Sequence, residues 1–495
     1  MWEINWSNLK YQFVYDSSAP LVFNSGMFFF MFTAFLLVYH FVRRTDRLKI
    51  LYLTAFSYYF YYKTNGFFFL LLLFISASDY IIGRALSRSE NPHIRKLLVT
   101  ISVIINLGIL GYFKYTNFFA SLIADIGGNT FTPLDIILPV GISFFTFQSI
   151  SYTVDIYRKK IESVKRYIDY VFYVSFFPQL VAGPIVRARD FIPQIHRPDF
   201  VSRAVMGEGV FLCITGLFKK AVISDYISLN FVDRIFDNPS LYSGIENLLG
   251  VYGYALQIYC DFSGYSDMAM GIALLLGFRF NINFDSPYKS ATITEFWRRW
   301  HISLSSWLKD YLYISLGGNR KGRIRTYINL MITMLLGGLW HGAALRFIIW
   351  GGIHGISLAV HKLFMSIFPS FRTSGEEMSP FRRFIGIIIT FHLVCFGWIF
   401  FRAGTMETAI QVLTQIFGQF RLYLLPQFIS GYKEVFILML TGYILHFMPR
   451  KFDTAAQKGF ISMPIMVQGV CVVAVILLIM LIKSSQVQPF IYFQF

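Results

Sequence analysis

The chain has 495 residues, of which 55% are hydrophobic and 14% charged, and its formal net charge is +17. Soluble domains average about 45–50% apolar and about 25% charged residues, so this composition excludes an ordinary soluble protein. Residues 21–42 carry no formal charge and match the roughly 20 residues that cross a bilayer as a helix. Excess lysine and arginine are typical of cytoplasmic loops in membrane proteins, so we predict no nucleic-acid partner.

The first half of the chain contains three basic segments, at 43–49, 84–96 and 158–166. The residues KTNG at 63–66 predict the turn of a helical hairpin between the first two segments, and the chain then crosses out and back before the third. All three basic loops are therefore expected on the cytoplasmic side. The stretch FFPQLVAGPIVRA at 176–188 contains two prolines and a glycine, and it predicts a broken membrane segment.

Further membrane spans are predicted in chain order near 168–183, 205–230, 247–276, 326–342, 347–361, 384–401, 433–448 and 465–482. We expect an all-α polytopic membrane protein with about 10–12 segments, some of them short or re-entrant. A single integral-membrane domain is predicted over residues 1–495. The sequence shows no internal repeat, which argues against a transporter built from inverted halves.

The region 279–325 is a basic block with nine lysines and arginines against three acidic residues. Within it, residues 292–313 predict one helix that begins at a capping box formed by Thr292 and Glu295. An aromatic and apolar stripe follows at helical spacing: Trp297, Trp300, Leu304, Trp307 and Tyr311. Two interpretations remain open, an interfacial anchor helix or a cytoplasmic funnel that attracts a phosphate-bearing ligand.

Histidines stand out in the stretch GGLWHGAALRFIIWGGIHG at 337–355, which contains His341 and His354. Imidazole is costly to bury without a partner. The two histidines lie 13 residues apart, roughly 140° around an unbroken helix, and no H-E-x-x-H motif occurs, so we predict no metal site. A G-x-S-x-G elbow is also absent, which argues against a serine hydrolase. General-base catalysis by a neutral histidine and a gating histidine of a transporter both remain possible.

Two carboxylates, Asp261 and Asp267, fall within a predicted membrane span. Ionisable residues at membrane depth are functional candidates by default. We favour a structural role, in which they form ion pairs with Arg298 or Arg299 of the basic block.

Four blocks, at 176–188, 257–280, 295–322 and 337–355, occur in this order and resemble the signature blocks of the membrane-bound O-acyltransferase (MBOAT) family. The resemblance is strongest to its bacterial alginate O-acetyltransferase branch. It implies a ring of tilted helices around a central tunnel, in which a cytoplasmic acyl donor meets an acceptor from the opposite face.

The resemblance also implies roles for the histidines. His341 corresponds to the catalytic residue of the family, and His301 corresponds to a second histidine at the same tunnel. His341 lies in the predicted histidine-bearing core segment 326–362, and His301 lies in the basic block 279–325. For His354 the resemblance implies no firm catalytic role, and we expect it to pack against the glycines that let helices approach closely.

The implied function is a multi-pass enzyme of the bacterial inner membrane that moves acetyl groups from cytoplasmic acetyl-coenzyme A to hydroxyls of an exported, alginate-like polysaccharide, directly or through a periplasmic partner. No bound cofactor is implied. Our own assignment is that the basic block faces the phosphates of the coenzyme. The predicted donor- or substrate-binding residues are Arg298, Arg299, Trp307, Lys309, Asp310, Asn319, Arg320 and Trp340.

Three alternatives remain open. A sibling enzyme transfers D-alanine from a carrier protein to teichoic acid, and another acetylates peptidoglycan. The third alternative is of a different class, a transporter or scaffold without chemistry. The absence of inverted repeats and the presence of both histidines argue against it.

Overall fold

A computed structural model describes residues 12–18, 20–197, 201–369, 378–482 and 490–491. Every regular element in that part of the chain is helical, which confirms the predicted all-α fold. The backbone packs as two compact units. The first comprises Met1–Ser202 with Ile272–Asn281, and the second comprises Arg203–Gly271 with Ile282–Phe495. The single domain expected over residues 1–495 remains a prediction.

The first unit contains nine of the described helices. They are α1 (Gly26–Val42), α2 (Asp46–Asn65), α3 (Phe69–Arg88), α4 (Pro92–Leu110), α5 (Thr116–Ile126), α6 (Ile142–Tyr157), α7 (Tyr167–Ser175), α8 (Phe177–Leu180) and α9 (Ala188–Ile195). A 3₁₀ turn at Gly66–Phe68 joins α2 to α3, and a π turn at Gly111–Tyr115 joins α4 to α5. The side chain of Asn91 caps α4 by accepting from the first backbone N–H groups, as is typical of helix N-termini.

The hairpin predicted at 63–66 is confirmed, because α2 ends at Asn65, Gly66 has a positive φ of +60°, and the far ends of α2 and α3 both reach α7. Asp46 contacts His196, which contacts Asp169. The ring of Tyr80 packs on that of Tyr167 (5.2 Å between centroids).

The polar residues of this turn are buried. The Thr64 hydroxyl donates to the carbonyl oxygen of Leu21 (3.0 Å), and the Asn65 amide donates to the Tyr61 hydroxyl (3.0 Å). Because these hydrogen bonds are made inside the unit, the polar residues need no solvent-exposed turn. The two basic segments that flank the hairpin therefore lie at the same end of it, where Asp46 and Arg84 reach the neighbourhood of residues 163–169. That this end is cytoplasmic remains a prediction.

The broken segment predicted at 176–188 is confirmed. Helix α7 ends at Ser175, α8 is a single turn, and residues 181–187 are irregular yet buried. A Cβ atom on Gly183 would lie 2.6 Å from the carbonyl oxygen of Pro178, so only glycine allows this tight return. Irregular backbone at membrane depth is tolerated where protein surrounds it, as it does here.

The second unit contains the remaining labelled helices. They are α10 (Arg203–Leu217), α11 (Asp233–Asp237), α12 (Gly244–Leu275, whose last residues belong to the first unit), α13 (Ile293–Arg299), α14 (Ile302–Trp307), α15 (Arg323–His341), α16 (Leu345–Ile367), α17 (Pro380–Arg402), α18 (Met406–Gly418), α19 (Leu425–Gly431), α20 (Lys433–Phe447), α21 (Arg450–Ser462) and α22 (Ile465–Ile482). Between α10 and α11 lie π turns at Phe218–Ser224 and Ser228–Val232, separated by the helical turn Asp225–Ile227, and a further π turn, Leu308–Tyr313, follows α14. Short 3₁₀ turns occupy Pro239–Leu241, Pro287–Lys289 and Leu422–Leu424.

Several helices have the length and apolar composition of membrane spans. Among the described residues, four stretches qualify: Asp46–Arg88, which comprises both arms of the hairpin α2–α3, Pro92–Ile126, Leu345–Ile367 and Pro380–Arg402. The helices α19 and α20 meet at 96° and form a further candidate as a broken or re-entrant pair, and α1 and α22 are shorter apolar helices. These helices support a multi-pass membrane protein, while the total of about 10–12 segments and the ring around a tunnel remain predictions.

Helices α15 and α16 form a close pair through their glycines. A Cβ atom on Gly338 would overlap the carbonyl oxygen of Phe347, and one on Gly351 would overlap that of Met334. Small residues at such crossings let helix backbones approach closely in membranes. The close approach expected from the glycines of 337–355 is therefore confirmed, and it fixes the position of the last turn of α15.

The change Gly351→Ala is expected to lower the apparent melting temperature of the purified protein in detergent. The added methyl group meets backbone, so the helices must separate, and such overpacking costs about 1–3 kcal/mol. Gly352→Ala is the matched control, because the nearest atom to its Cβ, Leu335 Cδ2, lies at 3.7 Å. Equal melting temperatures for the two variants would contradict the close crossing.

Candidate active site

The helix predicted over 292–313 is broken at His301. Its start is as expected, since Thr292 Oγ1 accepts from the Glu295 N–H (3.1 Å). Helix α13 then ends at Arg299, and His301 adopts a left-handed backbone conformation with φ +42° before α14 begins. A left-handed non-glycine residue is strained and needs its surroundings to hold it. The prediction of one continuous helix is therefore wrong, and His301 lies at the break between α13 and α14.

Hydrogen bonds from residues 283–285 hold this break. The backbone N–H of Ile302 donates to the carbonyl oxygen of Asn283 (2.9 Å), and the N–H of Asp285 donates to that of Arg299 (3.0 Å). These bonds replace the helical bonds that a continuous helix would have made, because tertiary contacts override local helix propensity.

His301 is completely buried, with 0% of its surface exposed. Its Nδ1 lies 3.2 Å from Asn283 Oδ1, and its ring packs edge-on against Phe262 with the centroids 4.5 Å apart. Burial lowers the pKa of His301 to about 3, because removal from water disfavours the charged imidazolium. The ring is therefore neutral at physiological pH.

His341 is the last residue of α15 and is 3% exposed. Its ring is enclosed by the rings of Trp340, Trp350 and Phe401, with centroid separations of 5.0, 5.0 and 5.2 Å. The backbone turns sharply at Gly342, where a Cβ atom would overlap the ring of Phe347. Glycine is therefore required directly after this histidine, and an aromatic box shields the imidazole from bulk water.

The indole of Trp340 connects the two candidate histidines. Its ring centroid lies 5.0 Å from that of His341 and 6.2 Å from that of His301. The structure therefore brings together two histidines that are separated by 40 residues in the sequence. No group of three or more His, Cys, Asp and Glu side chains that could hold a metal ion occurs within the described ranges.

His354 lies near this site and is also 0% exposed. Its ring contacts Trp350 (4.7 Å between centroids) and Trp297 (5.2 Å), and it stacks on Phe296 (6.1 Å). A Cβ atom on Gly397 would lie 3.1 Å from its Nε2. Among the residues that the structure describes, neither ring nitrogen has a hydrogen-bond partner. These contacts agree with the packing role, which remains a prediction.

The carboxylates Asp261 and Asp267 form ion pairs, but not with the predicted arginines. Asp261 pairs with Lys220 (2.5 Å) and Asp267 with Lys219 (2.7 Å). Both lysines lie in the π turn Phe218–Ser224, whose wider turn lets two consecutive side chains reach α12. A Cβ atom on Gly264 would lie 2.6 Å from the Gly216 carbonyl oxygen, so the segments approach closely.

Arg299 instead pairs within its own region, with Asp285 (3.2 Å) and Glu295 (3.0 Å). Arg298 is exposed. The prediction that these arginines neutralise the carboxylates of α12 is therefore wrong. The sequence contained the true partners as the consecutive lysines 219 and 220, but helical spacing could not indicate that a π turn directs both toward one helix.

Two further parts of the site were not predicted from the sequence: Asn283, and the residues Phe490 and Ile491. The Ile491 N–H donates to Asp261 Oδ2 (3.1 Å). The Phe490 ring contacts the ring of Phe262 (5.3 Å between centroids), which also packs against His301. No periodicity or motif could have indicated that a segment 230 residues beyond Asp261 contacts a neighbour of the histidine.

The predicted donor-binding residues fall into two groups. Trp307 and Trp340 are buried, Arg299 and Asp310 are half-buried, and the exposed ones are Arg298, Lys309, Asn319 and Arg320. Of the eight, Trp340 contacts both candidate histidines. The tryptophan stripe is largely inside the protein, with Trp300 at 1% and Trp307 at 7% exposure, so it does not anchor a helix in lipid as the interfacial interpretation required.

An exposed basic surface follows, formed by Arg320, Lys321, Arg323 and Arg325. None of these four side chains forms an ion pair with another described residue. Unpaired positive charge in one short segment creates a field that attracts anions. The funnel interpretation of the basic block therefore keeps its physical basis.

Comparison with known proteins identifies the family of the chain. The sequence profile of "MBOAT, membrane-bound O-acyltransferase family" matches residues 157–403, a range that includes His301, Trp340 and His341. The chain is 39% identical over 404 residues to the probable alginate O-acetylase AlgI of Azotobacter vinelandii, covering 80% of this chain and 78% of the relative.

Two other relatives extend the similarity. The probable alginate O-acetylase AlgI of Pseudomonas putida is 36% identical over 500 residues, which covers 96% of this chain and 100% of the relative. The peptidoglycan O-acetyltransferase of Helicobacter pylori is 38% identical over 366 residues, covering 69% and 68%. With the apolar helices and the paired histidines, these similarities show that the chain belongs to the membrane-bound O-acyltransferase family and is an O-acyltransferase.

Proposed function

We propose that the protein is a multi-pass O-acetyltransferase of the bacterial cytoplasmic membrane that transfers acetyl groups from acetyl-coenzyme A to hydroxyls of an exported, alginate-like polysaccharide. The single observation that carries the proposal is the arrangement of His301 and His341 around Trp340 in a relative of alginate O-acetylases. The acceptor takes the acetyl group directly or through a periplasmic acetyl-accepting protein.

His341 acts as the general base. It takes the proton of the acceptor hydroxyl while the hydroxyl oxygen attacks the thioester carbonyl carbon. The carbon–sulfur bond then breaks, an ester forms, and His341 returns the proton to the sulfur of coenzyme A, which leaves as a thiol. Transfer is proton-neutral overall, so one histidine suffices to move the proton.

The aromatic box around His341 has two consequences for this chemistry. Trp340, Trp350 and Phe401 keep bulk water from the imidazole, which limits hydrolysis of the thioester. They also confine the ring to the orientation set by the last turn of α15 and by Gly342. His301, which is neutral, buried and in contact with the ring of Trp340, positions or polarises the reacting groups.

The exposed basic surface at 320–325 is the proposed entry for the donor. Acetyl-coenzyme A carries several phosphate charges, and a basic surface raises the local concentration of such an anion. Lys309 and Arg298, both exposed, extend the positive charge along the same block. Coenzyme A is then released on the cytoplasmic side.

A second acceptor is favoured by one specific comparison, the 38% identity to a peptidoglycan O-acetyltransferase. The two acceptors are distinguished by giving membranes labelled acetyl-coenzyme A with either alginate oligosaccharides or peptidoglycan fragments and following the label into ester. D-alanyl carrier protein as the donor tests the teichoic-acid alternative in the same assay. Label transfer to none of these acceptors would contradict the proposal.

The change His341→Ala is expected to lower acetyl transfer by about 10²–10⁴-fold, the usual contribution of a general base. The protein should remain in the membrane at its normal level, because the change removes one ring from an otherwise intact box. His93→Ala is the matched control, since His93 is exposed at the start of α4 in the first unit. Undiminished ester formation by His341→Ala would overturn the base assignment.

Removing positive charge with Arg320→Gln and Lys321→Gln is expected to raise the KM for acetyl-coenzyme A several-fold and to leave kcat unchanged. Added salt should raise the wild-type KM more than that of the variant, because salt screens exposed charges over about 8–10 Å. The control pair is Arg44→Gln with Arg47→Gln, which removes two exposed charges from a different segment. A KM equal to that of the control pair would exclude donor recruitment at 320–325.

A further inference from the structure

The orientation of the Asn283 amide can be fixed from its surroundings. The backbone N–H of Ser303 points to one terminal atom of this side chain at 3.1 Å. A backbone N–H can only donate, so this atom is the oxygen Oδ1 and not the amide nitrogen. The amide nitrogen Nδ2 then lies on the other side, 3.2 Å from Ser266 Oγ. Asn283 is 0% exposed, so water does not compete for these contacts.

The same oxygen faces His301. The distance from Asn283 Oδ1 to His301 Nδ1 is 3.2 Å, and the Ser303 hydroxyl lies 2.9 Å from the oxygen but 3.5 Å from the ring nitrogen. An amide oxygen offers lone pairs only, so Nδ1 must carry a hydrogen to avoid two facing lone pairs. A neutral imidazole has one N–H, and its other nitrogen is then an acceptor.

We propose that Asn283 is a positioning residue that holds His301 in the tautomer with the proton on Nδ1, so that His301 serves acyl transfer as a hydrogen-bond acceptor through Nε2. The inference rests on the proposed function in placing His301 at the reaction. In this state His301 receives the hydrogen bond of the attacking hydroxyl or of a neighbouring donor. It does not donate to the oxyanion, so the donors for that charge must come from other groups.

No carboxylate in contact with the ring is needed for this effect. The rings that pack on His301, those of Phe262, Phe284 and Trp340, are uncharged. The charged side chains on the neighbouring segments are engaged in ion pairs: Asp261 with Lys220, Asp267 with Lys219, and both Asp285 and Glu295 with Arg299. A neutral amide therefore sets the tautomer without stabilising the imidazolium.

The direct test is nitrogen NMR of the full-length protein in nanodiscs with ¹⁵N-labelled histidine, with the His301 signals assigned by their loss in His301→Gln. The wild type should show a protonated Nδ1 and an unprotonated Nε2. Asn283→Leu, which keeps the shape but removes the acceptor, should abolish this preference, whereas Asn283→Asp should retain it. A wild-type ring protonated on Nε2 would overturn the proposal, whether or not any variant folds.

Kinetics supply the second readout. Asn283→Leu is expected to lower kcat by about tenfold or more with an unchanged KM for acetyl-coenzyme A, since one tautomer is lost from the acid–base machinery. Asn283→Asp should recover activity and move the acidic limb of the kcat–pH profile to higher pH, because a carboxylate favours the imidazolium. Ser266→Ala, which removes the contact of Nδ2 only, is the control and should match the wild type.

The outcomes separate this inference from the proposed function. An active His341→Ala variant would contradict the assignment of His341 as the general base but would not bear on the tautomer of His301. Equal losses of kcat in Asn283→Leu and Asn283→Asp, without a shift of the pH profile, would mean that Asn283 is merely structural and would overturn the inference.

Discussion

The short pairing between residues 283–285 and 299–303 is the constraint on which the candidate site depends. Two backbone hydrogen bonds, from Ile302 to Asn283 and from Asp285 to Arg299, interrupt a sequence that would otherwise continue as a helix. The break turns His301 toward Phe262 and Trp340. In a water-poor interior every polar backbone group needs a hydrogen-bond partner. The bonds that hold His301 in its strained backbone conformation also supply such partners to backbone groups at the break.

The backbone and side chains of the candidate site are held in two different ways. On the side of His341, rigidity comes from close backbone contact, with glycines at 338, 342 and 351 where any side chain would overlap a neighbour. On the side of His301 it comes from hydrogen bonds through one buried amide. Groups that are already held in place lose little conformational freedom on reaction. This explains why glycines lie around His341 and an asparagine lies beside His301.

The sequence predicted well those features that depend on composition and on short local patterns. The helices, the broken segment at 176–188, the cap at Thr292 and the tight packing at the 337–355 glycines all have local causes. The failures involve partners distant in sequence: the helix predicted over 292–313 is broken by hydrogen bonds with residues 283–285, and Asp261 pairs with Lys220 rather than with an arginine. Asn283 and Ile491 carry no local signal, so only the fold could identify them.

The hairpin of α2 and α3 has a consequence for the lipid around the first unit. Large apolar side chains are exposed on both arms, among them Leu48 on α2 and Ile81 on α3. Each arm has 20 residues and is about 30 Å long at about 1.5 Å per residue, the same as the thickness of a hydrocarbon core of about 30 Å. A bilayer of ordinary thickness therefore covers either arm without a large tilt and without local thickening or thinning.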